Sequence, residues 1–377
     1  MTHTLFLHSE VQDPYAIYAE RLATQPVFHD GATDLWAVYS YDACKAILES
    51  TSASIPALGD RLAHLLSPAA ASLSGQLVRL SNPPLHAPRK RVAMHLHALM
   101  APVDIEALLD ELLAAKSADA FDWVDAVCKV LPPLVVLKSF GFSDEDIALI
   151  LPRVAALTTI MRPNKSETQI QEVNDVVATV HPVVARHLEC MQIAIPSDIE
   201  NTSAALREVY VSNLIGLLIQ SYDAGRGLLS NALLQMLNHP APRAEQHRVH
   251  QNVIETLRFD PPIHNTRRVL TEDVTLHGST LKKGQTVLLV LAAANRDPAR
   301  FPHPERYDVT RPNNDQHLTF GAGVHLCVAR HLSVRVAVDA LTALFARYAH
   351  IELRQPQIAY EPLLNARLPK EIRIGIR

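Results

Sequence analysis

The chain has 377 residues, 48% of them hydrophobic, enough to build a sizeable core in one large domain or two ordinary ones. Its formal net charge of −4 gives no reason to expect nucleic acid as a partner. The opening MTHTLFLHSE has no charged leader and no long apolar run, so neither a secretory signal nor a membrane anchor is expected. The four cysteines, Cys44, Cys128, Cys190 and Cys327, lie far apart with no C-x-x-C pair. That dispersal suits a reducing cytoplasm and argues against a zinc site or a disulfide framework.

In chain order, residues 14–22 read as a short amphipathic helix, residues 26–39 as a strand pair around Asp30-Gly31, and residues 41–48 as a helix with Asp42 near its start and Cys44 in the core. Residues 51–80 are rich in Ser, Ala and Pro and read as a loop, with a possible short helix at 62–66. Asn82-Pro83-Pro84-Leu85-His86 then opens a basic helix carrying Arg89, Lys90 and Arg91, a cluster that on pattern alone is a solvated face. Residues 101–200 are largely helical, with apolar runs at 105–113, 126–137 and 147–157 broken by Pro132-Pro133 and Pro163. His181 and His187 read there as surface or packing histidines.

A long helix is expected from about Ser203 to Asn238, stopped by His239-Pro240. Leu214-Ile215-Gly216-Leu217-Leu218-Ile219 is apolar all round, which places this helix in the core. Asp223 sits in its middle. A buried carboxylate is costly unless paired or solvated, so Asp223 is either functional or paired with Arg226 three residues on, and the pattern leaves both open. Gly225 and Gly227 make a local kink plausible.

Further on, Glu255 and Arg258 share one helix face, Pro261-Pro262 ends that helix, and short strands follow at 273–276 and 280–281 around His277-Gly278. The chain closes on strands at 351–354 and 372–376 around a turn near Asn365-Ala366. Between these lies Phe320-Gly321-Ala322-Gly323-Val324-His325-Leu326-Cys327, and a helical pattern begins directly after the cysteine: Val328, Leu332, Val336, Leu341, Leu344. A cysteine at a helix N-terminus meets unpaired amides and the positive end of the dipole, which favour thiolate. Gly321 and Gly323 let the backbone curl near the sulfur, and Phe320 would shield it from water. A shielded thiolate is what an axial haem ligand needs. The alternative is a small buried hydrophobe before a helix.

This loop resembles the haem-binding signature of the cytochrome P450 superfamily, Phe-Gly-x-Gly-x-His-x-Cys, with every fixed position present. Only Ala329 stands where the family more often has glycine. Similarity covers most of the chain and is strongest from about residue 203 onward. It implies a mainly α fold with small β-sheets, the cytochrome P450 fold, as a single domain over 1–377, β-rich near 26–40, 263–292 and 350–377. It implies one haem b (iron protoporphyrin IX) ligated by Cys327, with Phe320, Gly321 and Ala329 beside it. His86, Lys90, Arg268 and His325 would surround the propionates. Lys90 falls where the family has arginine, so Arg89 or Arg91 are alternatives, as is Arg267 for Arg268. Glu255, Arg258 and Arg306 of Pro304-Glu305-Arg306-Tyr307 would lock the cysteine loop. Ile263, His264 and Asn265 would point toward a substrate pocket, though a histidine there is more often simply hydrogen-bonded to backbone.

The same resemblance exposes a departure. The family's central helix carries Ala-Gly-x-(Asp/Glu)-Thr-Thr, where this chain has Gln220-Ser221-Tyr222-Asp223-Ala224-Gly225. Asp223 keeps the acid, but Ala224 replaces the hydroxyl that helps protonate bound dioxygen. Ordered water, Ser221, Gln220 or the substrate must then serve, Ser221 having the alternative of bonding its own helix. The implied function is a cytoplasmic monooxygenase acting on a small organic substrate with dioxygen. Electrons would come from a ferredoxin or flavodoxin and its reductase, docking on a basic face with Lys90, Arg91 and Arg330, and the role would lie in natural-product (secondary-metabolite) biosynthesis. Alternatives are non-hydroxylating or peroxide-driven oxidation, or a haem-thiolate sensor without turnover.

Overall fold

The computed structural model describes residues 4–59, 62–116, 119–193, 204–239 and 246–377, with residues 204 and 246 described for their backbone alone. Of the expected helix limits, Ser203 and Pro240 lie outside these residues. Among the described residues, long and short helices predominate, with small sheets of five, three and two strands. Two compact units interleave along the sequence: residues 1–54, 104–129 and 223–377 form one, and 55–103 and 130–222 the other. The helix Ala204–Asn238 runs from one into the other.

The first unit is built on the five-stranded sheet. The strand pair Val27–Asp30 and Leu35–Val38 forms around residues 31–34, close to the expected turn. Leu35–Val38 then runs parallel to Thr286–Leu289, which pairs with Thr266–Leu270, which in turn takes Ala53–Ser54 on its edge. Alternation sorts the side chains. Val38, Val287 and Leu289 enter a core with Cys44, Ile47, Phe301, Leu318 and Ala322, the last two belonging to the run around the cysteine loop. Leu35, Ala37 and Leu288 face the opposite way, onto Tyr18, Tyr39 and Val290. The apolar stripe Ile105, Leu108, Leu109 and Leu113 defines the helix Ile105–Leu113, capped by Asp104. That helix and Gln246–Phe259 both pack on Arg330–Arg347, the helix that follows the cysteine.

The second unit is helical: Pro68–Gln76, His86–Leu99, Leu131–Ser139, Asp144–Ile150 and Glu167–Cys190 join the first part of the long helix. Three expectations change here and in the flanking segments. The loop at 51–80 contains a nine-residue helix, Pro68–Gln76, capped by Ser67. Only Ala70 and Leu73 of it are buried, so no apolar period marks it. Second, Pro132-Pro133 does not break the 126–137 run in mid-helix. A π-turn at Val124–Cys128 ends first, and the prolines occupy the first turn of Leu131–Ser139, where a missing N–H costs nothing. Third, the long helix is assigned α without interruption through Gly225 and Gly227. Gly227 serves close packing instead of a kink: a Cβ there would meet Leu368 Cδ2 and Pro262 Cβ, both at 2.5 Å.

Candidate active site

The cysteine loop is held by a frame of buried polar contacts within the first unit. Glu255 and Arg258, both fully buried, make a two-pronged pair: Arg258 Nε donates to Oε2 at 2.9 Å and Nη2 to Oε1 at 2.6 Å. Arg258 also donates to the carbonyls of Asn295 (3.2 Å), Pro304 (3.1 Å) and Arg306 (3.1 Å). Arg306 therefore joins through its backbone. Its guanidinium is 73% exposed and sits 3.8 Å from Glu305, so the sequence assignment of Arg306 as the third charged partner is corrected. That place falls to Arg311, whose Nε lies 3.8 Å from Glu255 Oε1 and whose side chain is 6% exposed. Arg311 is further anchored by the Pro302 and His303 carbonyls. A charge buried this deeply persists only when paired and hydrogen-bonded, which selects Arg311 over Arg306.

Asn295 carries the frame to the loop. Its Oδ1 accepts from the Leu318 amide (2.7 Å), and its Nδ2 donates to Thr319 Oγ1 (2.8 Å) and the Leu257 carbonyl (3.3 Å). Asn295 and Arg311 were not singled out from sequence. Their signal was available only as polar residues in a stretch that otherwise reads as turns.

The loop itself turns twice through left-handed backbone, Gly321 at φ +71° and Gly323 at φ +65°. A side chain at Gly323 would also strike the Leu48 carbonyl oxygen at 2.6 Å. Gly323–His325 forms one 3₁₀ turn, after which the Cys327 amide donates back to the Phe320 carbonyl at 3.0 Å. The following helix starts at Arg330 with Ala329 as its N-cap, so Cys327 lies just outside the first turn and not at its edge. Arg330 Nη1 donates to the Cys327 carbonyl at 3.3 Å. Phe320, Gly321, His325, Cys327 and Ala329 are all half-buried.

This chemistry fits a haem thiolate ligand, and Cys327 is the one cysteine in such a setting. Cys44 and Cys128 are fully buried, and burial pushes both thiols well up, which disfavours thiolate. Cys190 is exposed. Among the described residues no group of three or more His, Cys, Asp and Glu could hold a metal.

The proposed propionate partners sit on other elements. Arg268, 4% exposed, projects from Thr266–Leu270 and donates to Thr266 Oγ1 (3.3 Å) and the Arg267 carbonyl (2.8 Å). Burial lowers the pKa of Arg267. In the second unit, His86 begins its helix, 5% exposed, with Nδ1 3.3 Å from Ser81 Oγ. Lys90 is half-buried one turn later, Arg91 is exposed, and Arg89 donates to Gln76 Oε1 at 2.9 Å.

On the long helix, the polar side chains turn back on their own turns. Gln220 Nε2 donates to the Gly216 carbonyl (3.0 Å), and Ser221 Oγ to that of Leu218 (2.8 Å). Asp223 is 32% exposed, not buried, and pairs with Arg226 at 3.2 Å. Arg226, only 8% exposed, also reaches Glu361 at 3.4 Å.

His264 is corrected too. It is fully buried in an aromatic cluster: Nδ1 lies 3.0 Å from Tyr18 Oη, Nε2 3.4 Å from Tyr15 Oη, and its ring meets that of His8 at 4.4 Å. Burial, then His8, Arg367 and Arg296, hold its pKa well below normal. Burial and Arg367 bring that of His8 to about 3. Asn265 Nδ2 donates to the Leu364 carbonyl beside the closing turn (2.8 Å).

The mainly α fold thus presents Cys327 on a loop that turns twice through left-handed glycines. The comparisons agree. A profile of the cytochrome P450 family matches residues 246–374. The crystal structure of CalO2 superposes with a TM-score of 0.85 at 24% identity, covering 100% of this chain and 99% of that one. Cytochrome P450 monooxygenase PikC of Streptomyces venezuelae is 29% identical over 350 residues, 87% of this chain and 83% of that protein. Cytochrome P450 133B1 of Xylella fastidiosa is 37% identical over 147 residues, but that match spans only 38% of this chain and 36% of the relative. Residues 246–374 match the cytochrome P450 family, and over most of its length the chain is similar to a cytochrome P450 monooxygenase. Among its described residues no helix is long and apolar enough to cross a membrane.

Proposed function

We propose that this chain is a haem-thiolate monooxygenase that oxidises, by hydroxylation, a small organic substrate. The observation that carries the reading is the Cys327 loop, fixed by the buried Glu255–Arg258 pair through Asn295. Cys327 supplies the thiolate to one haem b, Gly321 and Ala329 allow close approach, and Phe320 limits water at the sulfur. Arg268 and His325 supply donors and positive charge to propionates, and His86 and Lys90 are further candidates for that role. A haem held this way supplies the family's dioxygen chemistry, with electrons from a separate ferredoxin or flavodoxin system. Asp223 holds and releases a proton at its carboxylate, and Ser221 and Gln220 assist when they leave their helix carbonyls. A cytoplasmic role in natural-product biosynthesis fits a chain whose central helix departs from the family's pattern.

The test is spectroscopic. The reduced protein with carbon monoxide should give the red-shifted Soret band of a thiolate-ligated haem, and a Cys327→Ala protein that keeps that band would overturn the assignment.

One observation favours a second reading, a non-hydroxylating or peroxide-driven oxidation. Ala224 offers no hydroxyl, and both Ser221 and Gln220 bond their own helix. Turnover with peroxide that exceeds the reductase-driven reaction would select it. Steady turnover of either kind eliminates a sensor without chemistry.

A further inference from the structure

Arg226 is a nearly buried guanidinium shared by two more exposed carboxylates, Asp223 on its own helix at 3.2 Å and Glu361 at 3.4 Å, 135 residues away. Glu361 is itself fixed by backbone. Its amide donates to the Leu368 carbonyl (2.9 Å), and the neighbouring Tyr360 bridges Pro369. Arg367 in the same segment stacks on Tyr360 at 3.5 Å and donates to the Val11 and Gln12 carbonyls. The closing segment thus holds Glu361 still, and Gly227, one residue from Arg226, is pressed against Leu368 and Pro262.

We infer that Glu361 is a positioning residue that acts through Arg226 on Asp223. By drawing the guanidinium toward itself, Glu361 divides the cation between two anions and loosens its grip on Asp223. Asp223 can then change partner or protonation state while Arg226 stays compensated by Glu361. Cys128, from the π-turn Val124–Cys128, also feels the charge of Arg226, with Asp122 and Lys129 near it. Its thiol is pushed up by burial and stays neutral, so it does not compete for the cation. The inference rests on the reading of Asp223 as a proton-handling group, but its central claim concerns only the electrostatics of the triad.

The experiment follows the carboxyl carbon of Asp223 by NMR in the haem-loaded, reduced, carbon-monoxide-bound protein, with ¹³C-labelled aspartate and Asp223→Asn as the assignment control. Glu361→Gln should strengthen the hold of Arg226 on Asp223 and lower the Asp223 titration midpoint by about half a unit or more. Arg226→Gln should raise it by about one unit. Arg226→Lys, which keeps the charge if the glutamine variant does not fold, should lie between wild type and Arg226→Gln. An Asp223 midpoint unmoved by Glu361→Gln, or moved the same way by Glu361→Gln and Arg226→Gln, overturns the inference. The acidic limb of the turnover profile should move with the NMR midpoint. Opposed NMR shifts with full turnover in Asp223→Asn would uphold the triad and remove the proton-handling reading instead.

Discussion

The cysteine loop and the middle of the long helix are stabilised in opposite ways. Around Cys327, the buried polar frame crosses between elements: Arg258 reaches the carbonyls of Asn295, Pro304 and Arg306, and Asn295 reaches Leu318, Thr319 and Leu257. Around Ser221, polar side chains satisfy themselves on the turn that carries them. The first region cannot shift without breaking several buried bonds. The second can exchange a partner at the cost of one. Rigid geometry suits a permanent ligand, and local satisfaction suits groups that move protons.

The largest test of this contrast removes the frame. Glu255→Ala leaves Arg258 buried without its carboxylate and should cost about 3–5 kcal/mol, read from the denaturant midpoint. Ser221→Ala should leave that midpoint nearly unchanged, and a loss matching that of Glu255→Ala would dissolve the comparison. Next, Gly323→Ala forces a left-handed backbone on alanine and drives its Cβ at the Leu48 carbonyl. We expect a loss of about 1–3 kcal/mol from strain alone, seen as a lower melting temperature.

Acid sharpens the comparison from a third site. His8 and His264 have folded pKa values depressed below the unfolded value of about 6.5, His8 to about 3. Between those limits the unfolded chain binds more protons, so stability is complete above about pH 6.5 and falls as pH drops toward 3. The slope should be about 1.4 kcal/mol per pH unit for each histidine that charges on unfolding. Stability measured across that window in His8→Asn should show a shallower slope, and an unchanged slope would refute the assignment. The smallest effect is expected at Arg306→Ala, within about 0.5 kcal/mol, because its guanidinium faces solvent. Arg311→Ala should cost several-fold more, and equal losses would reinstate Arg306.

Much of this was legible before the structure. The cysteine loop declares itself because glycine, histidine and cysteine stand at fixed spacing, and only glycine tolerates the two left-handed turns. Helical spacing puts Glu255 and Arg258 on one face, but spacing alone reads as a surface ion pair, and the expectation of a buried pair comes from the family resemblance. What failed depends on partners distant in sequence. Arg306 and Arg311 are equivalent as letters, and burial alone separates them. His264 sits in a segment that reads as pocket lining, yet Tyr15 and Tyr18, some 250 positions earlier, enclose it. Gly227 resembles a hinge until Pro262 and Leu368 are placed against it. The helix Pro68–Gln76 escaped because alanine and serine give it propensity without an apolar face.

The distances in sequence that hid these partners also set the order in which the first unit can assemble. Tyr15 bonds Asp260, Trp36 bonds Gln285, and Leu35–Val38 pairs along Thr286–Leu289. On a ribosome adding roughly 5–20 residues each second, the amino-terminal strands wait on the order of ten to fifty seconds for their partners. Throughout that interval the edge of Leu35–Val38 is an unpaired template, open to other chains as readily as to its own. The yield of folded protein should therefore track translation speed and chaperone supply more closely than equilibrium stability.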